Sequence, residues 1–219
     1  PARLPVTDIE KWIRDPYAIY AKRLLNLRPL EEHGAGAGAR EVGSLLHCVF
    51  ERAALAPAAL SVEALRAILD EEAPRVGLTG AARAFWSASL DGALRWFSGF
   101  DAERRVQGKA FVEQSGEMTL AGVDPPFTLT ARADRIELLS SGEAAIFDYK
   151  LTGVPTEKQD ATFSPQLALT AAIVAAGGFQ AIGPARVASY HYLRSANRKS
   201  DKTDEVGRDG AEAREATKA

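Results

Sequence analysis

Two β-prone segments joined by a short turn constrain the fold of this chain more than any other feature. Residues 127–139 alternate between apolar and polar side chains over much of their length, and residues 144–147 are continuously apolar. Such runs are typical of paired strands, and the polar and glycine residues at 140–143 favour a tight connection between them. We therefore expect an antiparallel hairpin.

The predicted hairpin carries two acids and a lysine. Asp134 lies in its first strand, and the apolar run of its second strand leads directly into Asp148, Tyr149 and Lys150. Alternate side chains of a strand point to the same face, so Asp148 and Lys150 project together while Tyr149 turns away. Asp-x-Lys also occurs as a solvated charge pair of little energetic weight. Charges that follow a buried strand favour a functional role, here a divalent metal site beside a phosphodiester.

A helix is predicted over residues 40–56, where apolar side chains recur with helical spacing. His47 and Glu51 lie one turn apart on its flank, and Gly43 lies one turn before His47. A histidine beside an apolar stripe is more often a packed core residue than a metal ligand, so the spacing leaves both interpretations open. The missing side chain at Gly43 leaves room for a metal, a phosphate or another backbone.

Two further segments contribute polar side chains. Residues 110–120 are predicted to form a strand, on which Glu113 is either an auxiliary acid of the site or a solvated carboxylate. A helix that opens at Gln166 is expected to end at the glycine pair 177–178, as helices commonly do. Residues 186–193 are predicted to form the last strand.

The chain resembles the PD-(D/E)XK nuclease superfamily, in its RecB-like branch and most closely its AddB-type nuclease domains. The resemblance rests on Gly-x-x-x-His on a helix, Asp on a strand, Asp-x-Lys on the next strand and Gln on the following helix. These motifs occur here in the family order, at Gly43, His47, Asp134, residues 148–150 and Gln166. Thr170 departs from the pattern, because the family usually has an aromatic residue four positions after the glutamine.

The resemblance implies an α/β restriction-endonuclease-like fold, in which a mixed central sheet is flanked by helices. It assigns residues 1–194 to one nuclease domain, with a helical insert over about residues 53–100 that is expected to pack away from the chemistry. Residues 195–219 contain almost no large apolar side chain. A polar tail that is mobile or depends on a partner is therefore expected there.

The resemblance also implies a site. The implied metal ligands are His47, Asp134, Asp148 and the backbone carbonyl of Tyr149. They would bind Mg²⁺, which Mn²⁺ can replace, because hard oxygen ligands and an imidazole suit these ions. The implied catalytic residues are Asp134, Asp148, Lys150 and Gln166, with Glu51 and Glu113 in auxiliary roles. The lysine would orient the attacking water or stabilise charge on the phosphate, and the glutamine would hold a phosphate or the lysine.

The implied activity is Mg²⁺-dependent hydrolysis of DNA, by an exonuclease in preference to an endonuclease, that leaves 5′-phosphate and 3′-hydroxyl ends. AddB-type domains act beside an AddA-like helicase–nuclease subunit in double-strand break repair and recombination. That subunit and the remainder of a longer chain are the expected partners. Two alternatives stay open, a stand-alone Cas4-like or RecB-like exonuclease and a nuclease-dead DNA-binding scaffold.

Charge and termini add expectations about context. A length of 219 residues suffices for one well-packed domain, but a formal net charge of −2 is unusual for a protein that grips DNA by itself. A partner or the rest of the chain is expected to supply the basic channel. The sequence starts at Pro1 and has no signal-peptide or membrane-length apolar run, which predicts a cytoplasmic fragment without membrane contact.

Cysteine content indicates which cofactors to expect. Cys48 is the only cysteine, and an iron–sulfur cluster takes several cysteine ligands. Many AddB-like nucleases have a cysteine before a Pro-Tyr pair near the start of the domain, whereas Asp15 precedes Pro16 and Tyr17 here. The expected cofactor is therefore Mg²⁺ or Mn²⁺, without an iron–sulfur cluster.

Overall fold

A computed structural model of the chain describes residues 1–28, 30, 37–151, 165–195 and 205–209, the last range for its backbone alone. Its strands form one mixed sheet with helices on both faces. The strands are β1 (Arg3–Pro5), β2 (Gly108–Leu120), β3 (Phe127–Leu139), β4 (Ala144–Lys150), β5 (Val187–Arg194) and β6 (Glu205–Asp209). The predicted α/β class with a mixed central sheet is confirmed.

Strand β3 is the centre of this sheet. One edge of β3 pairs with β2 along almost its whole length in antiparallel fashion. The other edge pairs with β1 in parallel near the start of β3 and with β4 antiparallel near its end. Strand β4 then pairs with β5 in parallel, and β5 pairs with β6 antiparallel. The predicted hairpin of two acid-bearing strands is confirmed as β3 and β4, with Arg135 opposite Phe147.

The described helices are α1 (Val6–Arg14), α2 (Pro16–Arg23), α3 (Ala39–Ala54), α4 (Val62–Glu72), α5 (Gly80–Arg105) and α6 (Gln166–Ala175), with a short 3-10 helix at Ala73–Val76. Local chemistry explains several of their ends. Asp15 caps α2 by accepting a hydrogen bond from the backbone N–H of Ala18 at 3.1 Å, and Pro16 opens that helix. None of the described helices has the length and apolar character needed to cross a lipid bilayer.

The helices of the predicted insert lie behind the site and do not pack away from it. Helices α3, α4 and α5 share one core with the face of β4 that carries Phe147 and Tyr149. The Tyr149 ring lies 5.3 Å from Phe50 of α3 and 6.0 Å from Trp96 of α5, centroid to centroid, in edge-on contacts. Helices α1 and α6 pack on the opposite face of the sheet. The long helix α5 therefore supports the strand that carries the predicted chemistry.

The alternation of β3 changes phase at Asp134. Ala131 and Ala133 pack in the core on the α6 side, whereas Arg135 points to the α5 side and bonds Asp101. Residues two apart on a regular strand face the same way, so the strand is distorted between Ala133 and Arg135. Across from Asp134, the backbone pairing of β2 is interrupted at Glu113, whose φ is +50°. This distortion lies in the middle of the predicted site.

The predicted polar tail contains a strand. Residues 205–209 form β6 and pair antiparallel with residues 189–193 of β5. An edge strand is held through its backbone and does not require large apolar side chains, which is why the composition did not reveal it. Residues 196–204 and 210–219, where the same prediction falls, lie outside the described residues.

Candidate active site

The candidate site lies where β3 and β4 part. The last backbone pair of the two strands is Arg135 with Phe147, so Asp134 and Asp148 stand opposite each other just beyond the ladder. There the Oδ2 atom of Asp134 accepts a hydrogen bond from the backbone N–H of Tyr149 at 2.7 Å. A carboxylate thus takes the place of a backbone partner. This bond fixes the Asp134 side chain and links the two strands where their backbone pairing has ended.

Helix α3 brings His47 to this point, and β2 brings Glu113. The His47 Nδ1 atom lies 3.4 Å from the Oδ1 of Asp134 and 3.7 Å from the Oε1 of Glu113. One ligand atom from each of the three residues lies within 4.8 Å of the others. On the far side of the ring, Nε2 lies 3.0 Å from the carbonyl oxygen of Tyr149. One imidazole and two carboxylates are a donor set that suits Mn²⁺ or Mg²⁺.

Two carboxylates face one imidazole in this cluster. Burial alone would lower the pKa of His47, but the carboxylates of Asp134 and Glu113 raise it to about 10. The imidazole is then protonated at neutral pH, and its Nε2–H donates to the Tyr149 carbonyl. A shift of this size shows that the acids favour a positive charge between them, and a divalent cation is one.

The face of β4 next to α6 holds the other predicted residues. The Oδ2 of the buried Asp148 lies 2.7 Å from the Nζ of Lys150, and its Oδ1 accepts a hydrogen bond from Nε2 of Gln166 at 2.7 Å. Burial, and then the negative charge of Asp134, raise the pKa of Asp148 to about 6, although Lys150 opposes this. Burial would lower the pKa of Lys150, but Asp148 raises it.

The structure thus brings all the predicted motif residues together, with one difference in grouping. Glu113 stands beside His47 and Asp134, whereas Asp148 is engaged by a lysine and a glutamine. The carbonyl of Tyr149 is engaged by the histidine. The predicted ligand roles of Asp148 and of this carbonyl stay predictions. The sequence leaves Glu113 open between a site acid and a solvated carboxylate. In the structure, its side chain is only 13% exposed.

A cavity of about 560 Å³ opens over the cluster. Along α3 it is lined by Arg40, Gly43, Ser44, His47 and Glu51, and the sheet contributes Glu113, Arg132 and Asp134. The predicted auxiliary residue Glu51 therefore lies on the wall of the site. The sequence analysis did not identify Arg40 and Arg132 as site residues. Two signals could have found them, namely the helical spacing of Arg40 from His47 and the strand spacing of Arg132 from Asp134.

Thr170, which stands where the family usually has an aromatic residue, packs against its own helix. The hydroxyl of Thr170 donates to the backbone carbonyl of Gln166 at 2.8 Å, and the side chain is buried. This residue is therefore turned onto its own helix, and a DNA contact of the kind made by the family's aromatic residue is not available from it.

Comparison with known proteins identifies the family of this chain. A family model described as the PD-(D/E)XK nuclease superfamily matches residues 3–219. The chain belongs to the PD-(D/E)XK nuclease superfamily. Membership agrees with the motif order and with the mixed sheet, and it is the basis for treating the acid and lysine cluster as a nuclease centre.

Individual relatives give less detail. The chain is 29% identical over 191 residues to an uncharacterized protein of Rickettsia conorii and 31% identical over 185 residues to one of Rickettsia bellii, each match covering 82% of this chain. These matches span only 23% and 22% of the two relatives. A solved structure titled "Crystal structure of SSO0001" aligns over 94% of this chain and 82% of its own, at 10% identity and a TM-score of 0.33.

Proposed function

We propose that this chain is a divalent-metal-dependent nuclease domain that hydrolyses DNA phosphodiester bonds. The observation that carries the proposal is the convergence of separate motifs at the point where β3 and β4 part. His47 contacts Asp134, which receives the backbone N–H of Tyr149. Asp148 and Lys150, the two neighbours of that tyrosine in the chain, form an ion pair. Gln166 donates a hydrogen bond to Asp148.

The donor set favours a metal over an unassisted mechanism. His47 and Asp134 would hold Mg²⁺ or Mn²⁺, with the remaining ligands from Glu113 or from Asp148 and the Tyr149 carbonyl. A bound ion of this kind supplies polarisation of the scissile phosphate and a lowered pKa for a bound water. The crowded carboxylates beside His47 support this role, because a cation relieves their repulsion.

The remaining polar residues would position the reactants. Lys150 is held at 2.7 Å by Asp148 and remains 33% exposed, so its ammonium can reach a phosphate oxygen or the attacking water. Gln166 fixes the other carboxylate oxygen of Asp148 and thereby its orientation. A preoriented cation next to the reacting phosphate stabilises the charge that develops there.

The finer assignment is also part of the proposal. We assign the domain to an AddB-type subunit that acts as an exonuclease with Mg²⁺, beside an AddA-like helicase–nuclease, in double-strand break repair in the cytoplasm. The order of motifs supports this assignment. The chain spans about a fifth of the relatives it matches, which supports a place within a longer polypeptide. No iron–sulfur cluster is included, because Asp15 caps a helix at the position of the family cysteine.

The test is a cleavage assay on linear single- and double-stranded DNA with Mg²⁺, with Mn²⁺ and with EDTA. Asp148→Ala should lower the rate by at least about a thousandfold, equivalent to about 4 kcal/mol of activation free energy. Asp91→Ala, which removes a carboxylate paired with Arg66 on the helical surface, is the matched control and should cut like the parent. Covalently closed circular DNA should resist cleavage by an exonuclease.

Two results would contradict the proposal. Cleavage by Asp148→Ala at the parental rate would place the active site elsewhere. DNA binding by a folded parent protein without cleavage under any divalent cation would favour the scaffold alternative.

A further inference from the structure

The stripe of α3 that carries His47 continues away from the candidate metal ligands. Ser44 precedes His47 by three residues and Arg40 precedes Ser44 by four, so the three side chains lie on one face of the helix. All three border the same cavity. Beside them, a Cβ atom placed on Gly43 would meet no atom within 4 Å. The cavity therefore extends from Glu113 and Asp134 toward a region bordered by the Arg40 guanidinium and the Ser44 hydroxyl.

A second cation borders the cavity from the sheet. Arg132 lies two residues before Asp134 on β3 and donates from Nε to the Oε2 of Glu113 at 2.7 Å. Its side chain is 68% exposed. A guanidinium has four further N–H donors beyond Nε–H, arranged in a planar fork that matches phosphate oxygens. The contact with Glu113 thus leaves Arg132 able to bind an anion.

The charges of the cavity differ from one end to the other. Glu51, Glu113 and Asp134 gather at the metal end, where a phosphate would be repelled unless a cation lies between. Arg40 lies at the other end of the α3 stripe, about 10 Å along the helix axis from His47, as seven residues of α-helix require. A single phosphate cannot contact both ends. An anion bound near Arg40 is therefore a different phosphate from the one at the acids.

We propose that Arg40 and Ser44 bind a non-scissile phosphate of the DNA strand and so position the scissile phosphate beside Glu113 and Asp134, where Arg132 is held. This subsite rests on the proposed nuclease function for its substrate. It would hold the backbone through charge and hydrogen bonds, without reading base sequence. The metal end and the arginine end would then engage two phosphates of the same strand.

Binding of a fluorescein-labelled single-stranded oligonucleotide, with Ca²⁺ as the only divalent cation, tests the subsite without turnover. Arg40→Gln should weaken binding about tenfold and reduce the slope of log K against log salt by about 0.7, as the loss of one phosphate contact requires. Ser44→Ala should weaken it by about threefold. The matched control is Arg95→Gln, an exposed arginine on α5 outside the cavity lining, which should change neither quantity.

A series of oligonucleotides with one neutral methylphosphonate each locates the contacted phosphate. At one position, the methylphosphonate should weaken DNA binding by the parent protein as much as Arg40→Gln weakens binding of unmodified DNA. The Arg40→Gln variant should lose no further affinity for DNA modified at that position. For Arg132→Gln, whose guanidinium lies at Glu113, the methylphosphonate without further effect should be at a different position. The Mn²⁺ affinity of Arg132→Gln is measured in parallel, because this variant also loses the hydrogen bond to Glu113, a candidate metal ligand.

The subsite would be overturned if the affinity losses from Arg40→Gln and from the methylphosphonate added fully at every position. Parental binding by Arg40→Gln, or an equal loss of affinity in Arg95→Gln, would also overturn it. The outcome is separable from that of the nuclease proposal, because binding is measured without cleavage. Position-specific binding through Arg40 in a protein that never cleaves DNA would retain the subsite and remove the nuclease.

Discussion

Neighbouring residues of β3 belong to two charged regions that are built in different ways. Arg135 is fully buried and bonds Asp101 at 2.8 Å and Glu137 at 2.7 Å. Arg105 and Arg104 complete these pairs, at 2.6 Å to Asp101 and 2.6 Å to Glu137. Every charge of this network has an opposite charge beside it. We call these five residues the paired network.

Asp134, one residue earlier, belongs to the region that we call the acid cluster, which consists of His47, Glu113, Asp134 and Asp148. Burial, and then the charge of Asp134, raise the pKa of Asp148 to about 6. Burial would lower the pKa of His47, but the carboxylates of Asp134 and Glu113 raise it to about 10. The strand opposite is distorted, with Glu113 at a φ of +50°, where a side chain is unfavourable. We expect the loss of one member of the paired network to destabilise the fold. We expect the acid cluster to cost stability, which a bound cation would restore.

The largest expected effect is on stability and separates the two neighbours. Arg135→Met should lower the free energy of unfolding by about 3 to 5 kcal/mol, because each of its two buried carboxylates loses one of its two cations. Asp134→Asn, the matched change in the acid cluster, should change stability by no more than about 1 kcal/mol, since it relieves repulsion with Asp148 but removes a counter-charge of His47. Urea unfolding monitored by circular dichroism measures both. Equal losses of stability would remove the distinction between the regions.

The next effect is on rate and concerns the cation of the site. Lys150→Arg keeps the charge but cannot place a planar guanidinium where the compact ammonium bonds Asp148. Both Lys150→Arg and Lys150→Ala should slow single-turnover cleavage about a hundredfold, which corresponds to about 3 kcal/mol. Mn²⁺ affinity, measured by calorimetry, should change little, because the lysine is not a ligand. Near-parental cleavage by Lys150→Arg would mean that only a diffuse positive charge is needed.

The smallest effect isolates backbone strain in the acid cluster. Glu113→Gly and Glu113→Ala remove the same carboxylate, but only glycine adopts a positive φ without cost. The glycine variant should therefore be more stable than the alanine variant by about 1 kcal/mol. Thermal and urea unfolding of the two proteins provide the comparison. An alanine variant as stable as the glycine variant would show that the strand relaxes and that no strain is stored there.

Much of the fold could be predicted because its signals are local. The alternation over 127–139 and the apolar run over 144–147 predicted β3 and β4 and their pairing. The apolar stripe predicted α3 to within two residues at its end. Strand β6 was missed because an edge strand pairs through its backbone, and the position of α5 behind Tyr149 was missed because packing between distant elements has no local signal.

The candidate site was predictable in its residues and less so in its arrangement. The family resemblance placed His47, Asp134, Asp148, Lys150 and Gln166 together, and the structure brings them together. The grouping of Glu113 with the histidine depends on a positive φ at a residue other than glycine, which sequence does not reveal. The burial of Arg135 was equally hidden, since its partner Asp101 lies 34 residues away.

The central claim, that the acid cluster holds a catalytic metal, is tested most directly by anomalous diffraction from crystals soaked in Mn²⁺. We expect an anomalous peak within about 2.2 Å of a carboxylate oxygen of Asp134 and of a ring nitrogen of His47, the ordinary distance for such ligands. The same peak should be absent from crystals of Asp134→Asn soaked in the same way. A peak confined to other residues, or none at a Mn²⁺ concentration that supports DNA cleavage, would contradict the account.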